Sequence, residues 1–216
     1  MTKRNFIPKD FKSQPKTPGF YGISHGLYRS AIELIKTAEK DQRTHSHHIL
    51  ASITLFTATI ESYFNEILTL NLLAKKYHSK NYLEALRLGN YSDNKMSFNE
   101  KIKAIFIAYD KKQKGIDTNG YIYQDLIALI NLRNNIVHYN PDWENIYHYP
   151  KDLEHILNRT KIKLENAGWT TNFSNIQIGH WAKMTVKNIL VEFSNITGAH
   201  NPFTDDESFK STRWED

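Results

Sequence analysis

The chain has 216 residues, contains no cysteine and carries a formal net charge of +5, with a pI near 9.1. This length suits one domain with its own hydrophobic core. The lack of cysteine excludes disulfides, cysteine nucleophiles and thiolate metal sites. No apolar run is long enough to cross a bilayer, and the amino terminus has no apolar signal core. We therefore expect a cytoplasmic protein that does not enter the membrane.

Charge is distributed unevenly along the chain. Residues 1–23 are predicted to be a basic arm, because the first 18 residues carry five Lys or Arg and a single Asp. Residues 201–216 are predicted to be an acidic tail, with five acidic residues against one Lys and one Arg. Between these terminal segments, residues 24–200 are expected to form a single helical domain. The mild basic excess permits a phosphate-bearing partner without requiring one.

Apolar residues recur at three- and four-residue spacing through most of this domain, which predicts an all-α antiparallel bundle. Ser24 is expected to cap the first helix. Ser97 and Glu100 form a capping-box pattern at the start of another helix. In chain order, the first four helices are predicted at 24–41, 45–77, 81–86 and from Ser97 to Tyr109.

The second half of the domain is predicted to contain three more helices. The first extends from about Gly120 to Tyr139. The next begins with Pro150 at a first helical position and continues through Leu164, before Gly168. Residues 169–178 are expected to form a loop or a short strand, and the last helix covers about 179–196.

Two polar clusters contain residues that can bind a metal ion or a phosphate, but neither forms a complete site. His45, His47 and His48 are imidazoles of the kind that bind zinc, but no nearby carboxylate or cysteine supplies the remaining ligands. We predict a solvated helix start there and no metal. The basic loop around Lys112 and Lys114 is either solvated or a phosphate contact.

The helix before Pro141 carries an unusual charge. Arg133 shares a face with apolar residues, and a guanidinium in such a seam is costly unless it meets a partner or an anion. We predict that Glu61, on the edge of the apolar face of the second helix, is that partner. The apolar residues of this face are Leu126, Leu129, Ile130, Ile136 and Val137.

The same helix places two more polar residues near its end. Asn134 and His138 are four residues apart and therefore neighbours on the helix surface. Pro141 predicts that the helix ends near His138. Arg133 and His138 lie about 140° apart on an ideal helix, so spacing alone does not make them converge. An arginine satisfied by a core carboxylate and a histidine favoured by the helix dipole would explain the same residues without any function.

Motifs for nucleotide hydrolysis, dinucleotide binding, zinc proteolysis and serine hydrolysis are all missing from the sequence. The run Arg133-Asn134-Asn135-Ile136-Val137-His138 resembles the signature of the HEPN superfamily, which is Arg, a polar residue, and His after four to six intervening residues. The segment with Glu61 and Asn65 is similar to the first long helix of HEPN bundles, which often carries a polar residue towards the site. The resemblance covers about residues 45–165.

The resemblance implies a metal-independent endoribonuclease of phage defence or toxin–antitoxin systems, working as a homodimer with a composite site. It implies RNA as substrate, no cofactor, and a regulatory or antitoxin protein as a further partner. RNA supplies its own nucleophile, the 2′-OH, and an imidazole can serve as acid or base near neutral pH. The catalytic residues would be Arg133, Asn134 and His138, and the supporting residues Glu61, Asn65 and Tyr139.

Two alternatives remain open at this point. A non-catalytic HEPN-type module would bind RNA or a partner protein and use Arg133 as a structural ion-pair residue. In that case, replacing His138 would leave function intact, whereas replacing Arg133 would unfold the protein. In the second alternative, Tyr139 would accept a nucleotidyl group from a partner enzyme.

Overall fold

The computed structural model describes residues 23–41, 45–74, 97–110, 112, 114–139 and 148–197. Within these residues the chain forms seven α-helices and one 3₁₀ turn, with no strand, so the all-α prediction is confirmed. The 3₁₀ turn covers Lys151–Leu153. The helices are α1 (Ser24–Lys40), α2 (His45–Ala74), α3 (Phe98–Tyr109), α4 (Tyr121–Val137), α5 (Glu154–Thr160), α6 (Trp169–Phe173) and α7 (Ile176–Thr197).

Helices α1 and α2 form an antiparallel pair. The start of α1 is bonded to a late turn of α2. The carboxylate of Glu66 accepts hydrogen bonds from the Ser24 backbone N–H at 2.8 Å and from its hydroxyl at 2.6 Å. The prediction that Ser24 caps α1 is therefore wrong. Ile23 occupies the N-cap without a side-chain hydrogen bond, and Glu66 places a negative charge at the positive end of α1.

Helix α7 lies beside α2 and runs in the same direction. Near its start, buried Gly179 approaches the side chains of Ile35 and Ile49. Near its end, the ring of Phe193 lies 5.2 Å from the rings of Phe64 on α2 and Phe106 on α3. The core thus extends along the whole α2–α7 contact and is closed at one end by aromatic rings in edge-to-face contact.

The capping box of α3 is confirmed. The hydroxyl of Ser97 accepts a hydrogen bond from the Glu100 backbone N–H at 3.3 Å, and the Glu100 carboxylate accepts one from the Ser97 backbone N–H at 2.8 Å. The hydrogen bond from the Ser97 hydroxyl to that carboxylate lowers the pKa of Glu100. Each residue therefore satisfies a backbone donor that the helix itself cannot.

The helix predicted from Pro150 through Leu164 is shorter than expected. Pro150 precedes the 3₁₀ turn, and α5 ends at Thr160, where Lys161 turns into the left-handed region with φ of 54°. The side chain of Asn172 explains why the chain does not continue as a helix. Its amide nitrogen donates to the Ala167 carbonyl at 3.0 Å, and its amide oxygen accepts from the Glu165 N–H at 2.7 Å. A local side chain thus supplies hydrogen bonds that a longer helix would have made.

The segment predicted as a loop or a short strand is also helical. Trp169–Phe173 forms α6, and α7 begins at Ile176, three residues before the predicted start at Gly179. Phe173 is fully buried, so α6 is fixed to the core by its last residue. The apolar residues of this segment therefore pack a single helical turn, rather than a strand, against the bundle.

Several predictions lie outside the described residues. These are the basic arm before Ile23, the short helix at 81–86 and the acidic tail at 201–216. None of the helices in the described part of the chain combines the length and the apolar character that crossing a bilayer requires.

Two glycines provide a direct test of the helix packing. A Cβ on Gly179 would lie 2.5 Å from the Ile35 side chain and 3.0 Å from that of Ile49. We expect Gly179→Val to lower the free energy of unfolding by about 1 to 3 kcal/mol, because the added atoms must displace packed side chains. Chemical denaturation measured by circular dichroism gives this free energy.

Gly26 of α1 is the matched control. No atom lies within 4 Å of a Cβ built there, and the residue is exposed. Gly26→Ala should raise the free energy of unfolding by up to about 1 kcal/mol, because alanine restricts the unfolded chain and favours a helix. Equal effects of the two substitutions would contradict the close α1–α2–α7 packing.

Candidate active site at the carboxyl end of α4

The buried face of α4 fades towards its carboxyl end. Leu126 and Leu129 are fully buried, as predicted, and so is Leu132, which the predicted apolar face did not include. Arg133 and Ile136 are half-buried, and Val137, which was predicted to face the core, is 50 % exposed. The last turn of α4 therefore projects beyond the bundle, and Arg133 lies at the margin of the core rather than within it.

Arg133 is tied to its neighbour in the sequence. Its guanidinium donates a hydrogen bond of 2.9 Å to the side-chain oxygen of Asn134. No ion pair joins Arg133 to Glu61, although both residues are described and half-buried, so the predicted pairing is wrong. Because Arg133 is only half-buried, water reduces its need for a carboxylate partner.

His138 ends the helix. Its backbone N–H donates to the Asn134 carbonyl at 2.9 Å, while its φ of −104° and ψ of 32° leave the helical region. The helix ends at Val137, two residues before the predicted limit at Tyr139. This agrees with the end near His138 that Pro141 predicts. The imidazole is exposed and makes no hydrogen bond to any residue of the described chain.

Asn134 links the other two motif residues. It shares a face of α4 with His138 one turn later, and it holds the Arg133 guanidinium on its own side of the helix. The 140° that separates Arg133 from His138 on an ideal helix is therefore partly bridged by the long arginine side chain. Spacing alone did not predict this hydrogen bond, because the direction of a flexible side chain depends on the partners it finds.

The supporting residues on α2 are not bonded to the motif. Asn65 accepts a hydrogen bond of 3.2 Å from the Lys101 ammonium group, which links α2 to α3. Within the described residues, no hydrogen bond or ion pair joins Glu61 or Asn65 to Arg133, Asn134 or His138. The predicted support of the motif by Glu61 and Asn65 is therefore not made through a hydrogen bond or an ion pair.

Tyr139, directly after His138, lies against α6. Its ring centroid is 5.8 Å from that of Trp169, with the ring planes tilted by 56°. The tyrosine side chain is nevertheless 50 % exposed. An aromatic surface therefore adjoins the exposed histidine, and it is built from two segments that are 30 residues apart in the sequence.

Sequence reasoning missed a charged cluster near the start of α4. Asp125, which is 2 % exposed, accepts hydrogen bonds from the Arg159 guanidinium at 3.0 and 3.1 Å. The His155 ring nitrogen lies 2.7 Å from the same carboxylate. The signal was present in the sequence: Asp125 is one turn before Leu129 on the buried face, and two basic side chains recur four residues apart on the next helix.

This cluster fixes α5 on α4, and a second contact fixes the turn before it. The side-chain amide of Asn135 donates to the Asn131 carbonyl at 2.9 Å and to Asp152 of the 3₁₀ turn at 3.3 Å. Asn135 belongs to the motif run, but its side-chain amide is used in these two structural hydrogen bonds.

In the described residues of the basic loop after α3, three backbone N–H groups are bonded to a carboxylate of the protein itself. Backbone N–H groups of Lys112, Lys114 and Gly115 donate to the Asp110 carboxylate at 2.7 to 3.1 Å. These hydrogen bonds, led by that of Lys112, lower the pKa of Asp110. A protein carboxylate thus already occupies the anion position of the loop. An open groove of about 680 Å³ lies between this loop and the end of α7, lined by both acidic and basic residues.

No group of three or more His, Asp or Glu side chains is placed to hold a metal ion in the part of the chain that the structure describes. His45 begins α2, as predicted, and His47 is exposed.

Comparison of the chain with protein-family models, with curated proteins and with solved structures found no match. The likeness to the HEPN superfamily therefore depends on the motif residues and on their position at the end of α4.

The contrast between Arg133 and Arg159 yields a stability prediction. Arg159→Ala should lower the free energy of unfolding by about 2 kcal/mol or more, because it leaves a buried carboxylate with one remaining partner. Arg133→Ala should change it by less than about 0.5 kcal/mol, as for an ordinary surface substitution. Thermal and denaturant unfolding of both variants measure the difference. Unfolding of Arg133→Ala under native conditions would instead identify Arg133 as a structural residue.

Proposed function

We propose that this protein is a metal-independent endoribonuclease of HEPN type, with Arg133, Asn134 and His138 as its catalytic residues. One observation carries the proposal. A half-buried arginine without a carboxylate partner is bonded to an asparagine that lies one helical turn from an exposed histidine. This arrangement leaves one cation and one imidazole at the same exposed helix end.

Arg133 is suited to stabilise a phosphate in the transition state. The side-chain oxygen of Asn134 is a neutral acceptor, so the guanidinium keeps its full charge and its remaining N–H donors. Cationic donors aimed at a phosphoryl group stabilise the charge that develops there during reaction. The side chain of Asn134 holds the guanidinium in place before substrate arrives.

His138 is suited to proton transfer. In the proposed reaction, an imidazole accepts the proton of the ribose 2′-OH as its oxygen attacks phosphorus. The bond from the 2′-oxygen to phosphorus forms, the bond from phosphorus to the 5′-oxygen breaks, and a second, protonated imidazole donates a proton to that leaving oxygen. The products are a 2′,3′-cyclic phosphate and a free 5′-OH, and no redox partner or metal is needed to balance the step.

The second imidazole comes from a second copy of the chain in this proposal. Each chain supplies one motif histidine, while the reaction uses a base and an acid. The exposed apolar side chain of Val137 at the same helix end supports a contact surface there. A homodimer with its two motifs in one cleft would provide both groups.

A ribonuclease with an exposed site requires restraint in a cell, and we propose a role in phage defence or a toxin–antitoxin system with a regulatory or antitoxin protein as partner. The alternative, a non-catalytic module with a structural Arg133, is less well supported because Arg133 makes no ion pair in the described chain.

The proposal predicts RNA cleavage in the presence of EDTA. Purified protein should cleave labelled single-stranded RNA and leave 2′,3′-cyclic phosphate ends. His138→Ala should reduce the rate about 10²- to 10⁴-fold through loss of proton transfer. Arg133→Ala should reduce it about 10²- to 10³-fold through loss of charge stabilisation. Gel analysis of the cleavage products and their ends measures both effects.

His180→Ala is the matched control, because this exposed histidine of α7 is paired with Glu39 of α1 and lies outside the motif. It should cleave RNA at the rate of the unmodified protein. Equal rates for His138→Ala and the unmodified protein would reject His138 as a catalytic residue, and cleavage that EDTA abolishes would reject the metal-independent mechanism.

The composite site predicts that an inactive variant inhibits the unmodified protein by forming mixed dimers with it. With RNA in saturating excess, adding His138→Ala protein should lower the activity of a fixed amount of unmodified protein, since mixed dimers contain one motif histidine instead of two. The activity should follow the fraction of unmodified dimers. Activity that stays constant at every mixing ratio would show that one chain suffices.

A further inference from the structure

Five aromatic rings form a continuous row beside the motif. Tyr139 contacts Trp169 at 5.8 Å between ring centroids, and Trp169 contacts Phe173 at 6.1 Å. Phe173 contacts Tyr149 at 6.0 Å, and Tyr149 stacks on His148 at 6.4 Å with an interplanar angle of 20°. The row is buried in the middle, at Phe173, and exposed at both ends.

The end of the row at Tyr139 adjoins the proposed chemistry directly. Tyr139 follows His138 in the sequence, and half of its side chain is exposed. The ring that Tyr139 contacts, Trp169, is half-buried and belongs to α6. The buried Phe173 fixes α6 to the core. The tyrosine ring is therefore held in place before any ligand binds, which reduces the ordering cost of stacking against it.

The surroundings of α6 favour a negatively charged partner over an apolar protein surface. Lys161 and Lys163 are exposed on the loop that leads into α6, which also carries the exposed Glu165. Arg133, six residues before Tyr139 in the sequence, is a further cation, and its guanidinium is bonded to the neutral side chain of Asn134. An aromatic face flanked by lysine and arginine is the combination that binds single-stranded nucleic acid, in which bases stack on rings and phosphates meet the cations.

We infer that Tyr139, supported by Trp169, is a stacking platform for the base next to the cleaved phosphate, so that the substrate class is single-stranded RNA. The inference rests on the proposed function. A paired base presents its faces to its neighbours in the duplex and cannot stack on a protein ring without leaving the helix. Stacking also accepts any base, because every base has a π face. The platform therefore selects for unpaired nucleotides and not for a sequence.

Binding of an uncleavable ligand tests the inference separately from catalysis. The probe is a labelled single-stranded oligouridylate with O-methyl groups at its 2′ positions, which cannot undergo attack by the 2′-oxygen. Fluorescence anisotropy gives its affinity for the full chain. We expect Tyr139→Ala to weaken binding about five- to a hundredfold, and Tyr139→Phe, which keeps the ring, to bind within about twofold of the unmodified protein.

Tyr121→Ala is the matched control, since Tyr121 is an exposed tyrosine at the opposite end of the same helix. It should leave the affinity unchanged, and the same probe annealed to its complement should bind more weakly than the single strand. Equal affinities of Tyr139→Ala and the unmodified protein would overturn the inference, as would equal losses in Tyr139→Ala and Tyr121→Ala.

The two proposals fail in different ways. RNA cleavage together with Tyr139-independent binding would overturn the stacking platform and leave the ribonuclease intact. Tyr139-dependent binding without cleavage by the unmodified protein would support the platform and overturn the catalytic role of His138. Circular dichroism of each variant identifies any loss of affinity that comes from unfolding.

Discussion

A buried carboxylate governs the arrangement of the second half of the chain. Asp125 is almost inaccessible to water, and an ionised carboxylate in that position requires compensating charge and hydrogen bonds. Arg159 and His155 supply them from one face of α5. Because only that face of α5 can meet Asp125, the chain leaves α5 in a defined direction. The chain then reaches Trp169 of α6, which contacts Tyr139 and is held against the core through buried Phe173.

The two ends of α4 use the same residue types for opposite purposes. Near the amino end, Arg159 binds the Asp125 carboxylate through two nitrogens, so the charges cancel and the contact is structural. At the carboxyl end, Arg133 binds only the neutral Asn134 side chain, and its charge stays uncompensated by the described residues. The first half of α4 is thus fixed by a buried ion pair, whereas Arg133 in its second half is available to bind a ligand. We propose that this division is what lets one helix serve as both a core element and a catalytic element.

Most of the fold could be predicted from the sequence because its signals are local. Periodic apolar residues place α2 and α7, and the reciprocal hydrogen bonds of Ser97 and Glu100 place the start of α3. The early end of α5 could not be predicted, because it depends on hydrogen bonds between the Asn172 side chain and the loop before it. Without knowledge of those hydrogen bonds, the spacing of the apolar residues at 161–164 predicts a continued helix.

The candidate site was predictable in part for the same reason. The position of His138 at an exposed helix end follows from Pro141, a local signal. The expected pairing of Arg133 with Glu61 is wrong because spacing determines which residues share a helix face but not how two helices are rotated against each other. The contact of Tyr139 with Trp169 likewise joins distant segments, and no pattern within either segment indicates it.

The position of the motif at a helix carboxyl end also bears on why two chains would be needed. The carboxyl end of a helix carries partial negative charge, which repels a phosphate, whereas phosphate sites in proteins commonly use the amino end. One Arg133 therefore works against the dipole of its own helix. A second chain would bring a second guanidinium together with the carboxyl end of a second helix, so charge alone does not favour a composite cleft over a single-chain site. In the proposed mechanism the reason for two chains is therefore the need for two imidazoles, one as base and one as acid.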